Sequence, residues 1–155
     1  RGPLALAPVR HPVGRGDGEL DHLQPIAKIA ASGMTAQSAR LRVISENVAN
    51  ADSTGTTPGE DPFRRKTISF AEMIDSASGG SLVEIEKIGR DQSPFRRDYD
   101  PSQPAADETG YVKRPNVDPI NEMANMREAS RNYEANRNMV EAGRRMRGQM
   151  LDLLK

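Results

Sequence analysis

The sequence predicts a mainly α-helical chain with a small β module. Long N- and C-terminal helices pair as a coiled coil to form one discontinuous inner domain, and a short β-rich outer domain is inserted between them. Three observations predict this. Apolar residues recur at heptad spacing from Pro25 to Ala51 and again from Pro119 to Lys155. Between these stretches lie short alternating runs punctuated by Gly and Pro. Finally, hydrophobic residues are 35% of the 155, with no Trp, and the mean hydropathy is -0.70. That is too little apolar mass for a large round core, so folded segments must bury narrow seams.

Residues Arg1–Gln24 are rich in Gly and Pro and hold no sustained period, which reads as a flexible tail. Pro25 suits the first turn of a helix, where its missing N–H costs nothing. From there Ala27, Met34, Leu41 and Val48 fall seven apart, with Ala30, Gln37, Ile44 and Ala51 as companions and Ala36 and Val43 widening the stripe. Gly33 costs the helix about 1 kcal/mol; close packing accounts for it, with a helix break as the rival reading. Residues 25–54 are therefore the first helix and its exit turn.

Residues 55–117 form the outer module. Phe63–Phe70 reads as a strand with Ile68 and Phe70 on one face, and Leu82–Ile88 as the clearest strand, with Val83 and Ile85 inward. Residues Ala71–Gly80 have a weak pattern and end in a flexible turn. Ser93–Pro104 is punctuated by three prolines, and Glu108–Lys113 leads into a last strand that stops before Pro115.

Residues 118–155 are the second helix. Asp118 caps it and Pro119 opens it. Its seam runs through Met126, Tyr133, Val140, Arg147 and Leu154, with Ala129, Asn136, Gly143 and Met150 between, and Met139, Met146 and Leu153 extend the apolar face. Glu128 with Arg131, Glu134 with Arg137, and Glu141 with Arg144 and Arg145 are spaced to pair on the surface, each pair contributing about 0.2–0.5 kcal/mol. At 1.5 Å per residue the helices reach about 40 and 50 Å. Gly33, Gln37, Asn136, Gly143 and Arg147 spoil each seam as a self-sufficient coiled coil, so the two seams face one another and leave their outer sides to other subunits.

Composition and motifs exclude several functions. Lys plus Arg and Asp plus Glu balance at 22 each, so there is no bulk field for nucleic acid or an anionic membrane. No run approaches the roughly 20 apolar residues of a membrane span. The absence of Cys removes thiolate catalysis and Cys-based zinc sites. His11 and His22 stand in the tail, away from any group they would activate. The acids Asp98, Asp100, Asp107 and Glu108 lack the order of a calcium loop and read as a solvated face. No catalytic, cofactor or metal site is expected. On periodicity alone the chain is an assembly subunit or a soluble helical adaptor that binds partner helices.

Two blocks separate these readings. Ala31–Gln37, with Arg40-Leu41 and Glu46–Gly55, resembles the N-terminal signature of flagellar rod, hook and junction proteins. Gly110–Val117, Asn121–Met126 and Ala129–Asn136 look most like the proximal rod branch of the same family. The resemblance covers Ile26–Leu154. It implies a structural, non-enzymatic subunit, exported uncleaved through the flagellar type III apparatus and polymerised in the periplasm into the drive shaft around the export channel. It implies copies of itself and FlgB-, FlgF-, FlgG- and FliE-like rod components as partners, with no nucleic acid and no direct membrane insertion. In the family the first helix begins almost at the chain start. Arg1–Gln24 departs from that pattern and is expected to be an addition ahead of the natural start, a segment lying in a space the assembled rod leaves open, or the flexible end that export recognises.

Residue roles follow from the two readings together. Met34, Leu41, Ile44 and Val48 are expected to pack on Tyr133, Val140 and Met150 within a subunit, with Met126 a further residue of the same seam. Asn47, Asn50, Asp52 and Gly55 resemble the family's helix-exit turn and are expected to set the angle of the β module, with Asn116 and Asn121 serving the return path.

Overall fold

The computed structural model describes residues 15–155, with side chains from Leu23 onwards. Helix α1 (Arg15–Ala49) is followed by strands β1 (Lys66–Ile74), β2 (Ser81–Arg90), β3 (Arg96–Tyr99) and β4 (Tyr111–Arg114), and then by helix α2 (Pro119–Leu153). The two helices have 35 residues each, about 52 Å at 1.5 Å per residue. They lie antiparallel: Gly33 meets Asn136 while Arg40 meets Glu128. β1 pairs with β2 and β3 with β4, giving two separate antiparallel hairpins inserted between the helices. This is the expected architecture.

α1 begins ten residues before Pro25, which therefore sits inside the helix rather than in its first turn. A proline there removes one backbone hydrogen bond, and the helix continues on both sides of it. Residues 15–24 of the expected tail are thus helical, and its remainder lies outside the described residues. At the other end the expectation holds: Asp118 caps α2, its carboxylate accepting from Ile120 N at 3.0 Å, and Pro119 opens the helix.

The seam on α1 is half as expected. Ala30, Ile44 and Ala51 are buried and Gln37 is partly so, but their companions are Gly33, Arg40 and Asn47, not Ala27, Met34, Leu41 and Val48, which remain half-buried. The period is seven in both frames. The companion line was hidden because it is polar, and each member is accommodated individually. Gly33 lets Asn136 approach so closely that an added Cβ would lie 2.7 Å from Nδ2. Arg40 reaches Glu128 at 3.2 Å, and Asn47 is fully buried with backbone partners. Ala36, Ala39 and Val43 complete the buried face. On α2, Ala129 is buried, while Met126, Tyr133, Asn136, Val140, Gly143 and Met150 are half-buried along the expected line. Arg147 and Leu154, placed on the same line, are exposed, as are Met139, Met146 and Leu153.

The expected surface ion pairs do not form as spaced. Glu128 turns across to Arg40, and Glu141 meets Arg137 at 3.9 Å instead of Arg144 or Arg145. A cross-helix partner competes successfully because an exposed pair on one helix is worth only a few tenths of a kcal/mol.

β1 starts three residues later than Phe63 and runs on through Ala71–Ile74, where the pattern is weak. A bulge between Ser69 and Phe70 leaves Glu86 as the extra residue of β2, so Ile68 lies opposite Ile88 and Phe70 opposite Ile85. The bulge brings Ile88, Ile85 and Val83 onto one face although their spacing is not strictly alternate. Val83 and Ile85 nonetheless stay 39% and 37% exposed, not inward, because a two-stranded ribbon laid along one helix covers only part of its face. Its attachments are Val83 N to Ser32 Oγ at 3.1 Å and Lys28 to Asp75 at 3.0 Å. β3 falls in the proline-punctuated stretch where no strand is expected; β4 pairs with it across Asp98–Val112 and Tyr99–Tyr111. In and around β4, Ala105, Val112, Pro115 and Val117 are buried.

Two predictions follow from this packing. Gly33→Leu must push Asn136 and the α2 backbone away and is expected to cost about 1–3 kcal/mol. Gly143→Ala, where an added Cβ meets nothing within 4 Å, is expected to stabilise by about 0.5–1 kcal/mol; thermal unfolding of both variants should give opposite signs. The corner before β4 supplies the second. The Asp107 carboxylate accepts from Thr109 Oγ1 at 2.6 Å, Tyr111 N at 3.0 Å, Thr109 N at 2.9 Å and Arg97 at 2.9 Å. Those bonds, led by Thr109 Oγ1, lower its pKa from 3.8 to about 2. A depressed carboxylate contributes stability above its unfolded value and loses it as the pH falls through the folded one. The corner should therefore hold above pH 3.8 and loosen toward pH 2. The Asp107 carboxyl carbon should titrate near the lower value by NMR, and a midpoint at the upper one would reject the geometry.

Candidate assembly interface

Besides the contacts of the β1–β2 hairpin along α1, the inner and outer domains are joined at a polar junction. Asn47, in the last turn of α1, donates from Nδ2 to Lys66 O at 2.9 Å and accepts from Lys66 N at 2.8 Å. One buried amide thus takes both main-chain groups of the first residue of β1. The Lys66 ammonium returns to Glu46, lowering that carboxyl's pKa chiefly through the side-chain hydrogen bond. One residue earlier, Arg65 N donates to Asn116 Oδ1 at 2.8 Å, and the Arg65 guanidinium donates to Glu122 in the first turn of α2. Asn116 Nδ2 donates to Asp91 O at 2.9 Å and Ser93 O at 3.1 Å, holding the segment after β2. Residues 65 and 66 therefore bind the end of α1, the start of α2 and the segment between the hairpins.

Of the residues expected at the exit turn, Asn50 Nδ2 donates to Glu46 O at 2.8 Å and closes the helix end. Asp52 is exposed and offers only its carbonyl, to Arg114 at 3.4 Å. Gly55 packs against Glu60 so closely that an added Cβ would lie 2.7 Å from Glu60 Cβ. The Glu60 carboxylate accepts from Thr56 N at 2.6 Å and Thr57 N at 3.0 Å, and these bonds lower its pKa. Asn121 donates to Asp118 at 3.0 Å, supporting the α2 cap. Of the expected seam residues, Ile44 is buried, whereas Met34, Leu41, Val48, Met126, Tyr133, Val140 and Met150 are half-buried. Met34 and Tyr133 line one groove.

Glu122 was not anticipated. It is 1% exposed, bonded to Arg65 through Oε1, with Oε2 lacking a partner among the described residues. The seam period itself points to it, since it lies seven residues before Ala129; its charge concealed it. Arg65, Lys66 and Glu60 were likewise hidden in a polar loop, where no period marks the buried partner. Among the described residues no group of three or more His, Cys, Asp or Glu side chains could hold a metal ion. No helix there is long and apolar enough to cross a membrane.

Comparison with known proteins agrees with this architecture at both ends. Residues 28–56 match the family model of flagella basal body rod proteins. Residues 108–153 match the model of the flagellar basal body rod FlgEFG protein C-terminal region. The flagellar basal-body rod protein FlgC of Agrobacterium fabrum is 50% identical over 136 residues, 88% of this chain and 98% of that one. FlgC of Bacillus subtilis is 37% identical over 142 residues, covering 82% and 95% of the two chains. FlgC of Salmonella typhimurium is 44% identical over 113 residues, covering 72% and 82%. Paired terminal helices, an inserted β module and these matches define a structural subunit of the flagellar rod, not an enzyme. The chain belongs to the flagellar basal-body rod protein family and is closely related to FlgC. The adaptor reading, which rested on periodicity alone, is set aside.

The junction yields a stability prediction. Asn47→Ala removes both hydrogen bonds to Lys66 and leaves a buried amide N–H and carbonyl unpaired. It is expected to destabilise the chain by about 2–4 kcal/mol, read by chemical denaturation; a loss under about 0.5 kcal/mol would show that the junction does not hold the domains together.

Proposed function

We propose that the chain is exported uncleaved by the flagellar type III apparatus and polymerises in the periplasm as part of the proximal rod. There its paired terminal helices surround the axial channel, its β module lies outside them, and the assembly carries torque from motor to hook. Its partners are further copies of itself and FlgB-, FlgF-, FlgG- and FliE-like rod components. The observation that carries this reading is the near full-length relation to FlgC of Agrobacterium fabrum. It is supported by a helix pair that leaves Met123, Met139, Met146 and Leu153 exposed, a surface suited to burial by neighbours. Balanced charge, 22 against 22, avoids the repulsion that a crowded polymer of like-charged copies would suffer.

Complementation tests it: expression in a flagellated bacterium lacking its own FlgC should restore motility and place the chain in isolated basal bodies. Accumulation in the cytoplasm with no export would overturn the proposal. In the same strain Leu41→Asp, which puts a charge beside the helix seam, is expected to block rod assembly while leaving export intact. Fractionation should find the variant outside the cytoplasm but absent from basal bodies; normal basal bodies containing it would refute the role of the seam.

A further inference from the structure

The junction has two halves of unlike quality. On the α1 side the Asn47 amide is fully buried and bonded to both main-chain groups of Lys66. On the α2 side one side chain makes the link, the Arg65 guanidinium donating through Nε to Glu122 Oε1. Glu122 is 1% exposed, and its Oε2 has no partner among the described residues. A buried carboxylate bonded at one oxygen only recovers part of its desolvation cost, so the pair adds little net stability.

Arg65 has a second carboxylate within reach. Its second nitrogen, NH1, lies 3.5 Å from Asp91 Oδ2, beyond the roughly 2.7–3.2 Å of a good hydrogen bond. The other oxygen, Asp91 Oδ1, accepts from Ser93 N at 2.8 Å, which leaves Oδ2 for a cation. The guanidinium is thus bonded to one carboxylate and stands just short of another.

There is room for an exchange. Cavities of about 340 and 450 Å³ meet at Arg65, Glu122 and Asn125. Asn125 lies one helical turn past Glu122 on the same face of α2, where its amide can bond a displaced carboxylate. The other cations of the smaller cavity are engaged, Lys66 with Glu46 and Arg40 with Glu128. In the larger one Asp118 accepts from Ile120 N and Asn121 and caps the helix. Arg65 is therefore the cation that decides whether Glu122 is paired.

The tethering of the chain also changes at this point. Asn116 is tied to Arg65 N, Asp91 O and Ser93 O. Beyond it, among the described residues, the only hydrogen bond or ion pair between the β module and α2 is that of Arg65 with Glu122.

We propose that Arg65 is a two-position latch. On Glu122 it fastens the first turn of α2 to the β module. Turned to Asp91 it frees that turn, which pivots behind Asn116 while β1 stays fixed to α1 through Asn47. The latch gives α2, the helix that keeps Met123, Met139 and Met146 exposed, a way to shift without unseating the strands. It is intramolecular and goes beyond the rod reading.

Amide hydrogen exchange of the full chain, read by NMR, tests it. Asp91→Asn keeps the acceptor for Ser93 N and removes the charge at the second position. The Met123–Met126 amides should then exchange about threefold slower. Glu122→Gln removes the charge at the first position, and the same amides should exchange about threefold faster. In both variants the Lys66 amide, bonded to Asn47, should keep its wild-type rate. A fixed bridge, with Arg65 holding both carboxylates at once, predicts faster exchange in both variants. Faster or unchanged exchange with Asp91→Asn, or an equal change at Lys66, would overturn the latch. If Glu122→Gln does not fold, Asp91→Asn alone decides by its sign.

Discussion

The junction between the helix pair and the β module centres on the bond between Asn47 and the main chain of Lys66. A strand that begins beside a helix exposes an N–H and a C=O that must be paired when buried. One amide satisfies both, at 2.8 and 2.9 Å. Because it is bidentate and buried, it constrains the direction as well as the distance of the first residue of β1 from the end of α1. Arg65 extends the same knot to α2 through Glu122 and to the return path through Asn116. Two adjacent residues in a polar loop thereby tie the chain's two ends to its middle.

The helix pair depends on a different economy. Its buried positions are mostly small, and close approach substitutes for bulk. Gly33 lets Asn136 come close, and Ala30, Ala36, Ala39 and Ala129 are small and buried. Such a seam buries little apolar area per residue, which fits the proposed burial of these helices by neighbouring subunits. The exposed methionines and leucines of α2 are the other half of that arrangement: apolar surface withheld from the monomer's core is available to an assembly.

Much of this was legible along the chain. The heptad rhythm marks both helices, Asp118-Pro119 marks the start of α2, and the alternation of Leu82–Ile88 marks β2, since each is a local pattern with a local cause. On α2 the heptad line holds Ala129 buried and Met126, Tyr133, Asn136, Val140, Gly143 and Met150 half-buried, whereas Arg147 and Leu154 on it are exposed and Glu122, buried one heptad earlier, was missed. The α1 seam could be read only by half. Its second line is Gly33, Arg40 and Asn47, and hydropathy cannot distinguish a polar residue that has a buried partner from one that faces water. The same limit hid Glu122 and Arg65. β3 escaped because a four-residue strand among prolines has too few residues to show a period, and the extra length of α1 because Pro25 imitates a helix start.

By itself the sequence determined that two long helices bracket a small β module, that they pair along heptad seams, and that the family signatures sit at both ends. Those are consequences of periodicity and local turn chemistry. Only the tertiary structure decided which of two frames α1 turns toward α2, where the bulge at Ser69 and Phe70 sends Ile85 and Ile88, and which polar side chains are spent on holding the domains together. Those outcomes depend on partners 19 to 88 residues distant in the chain, and no local pattern records which partner a buried polar group will find.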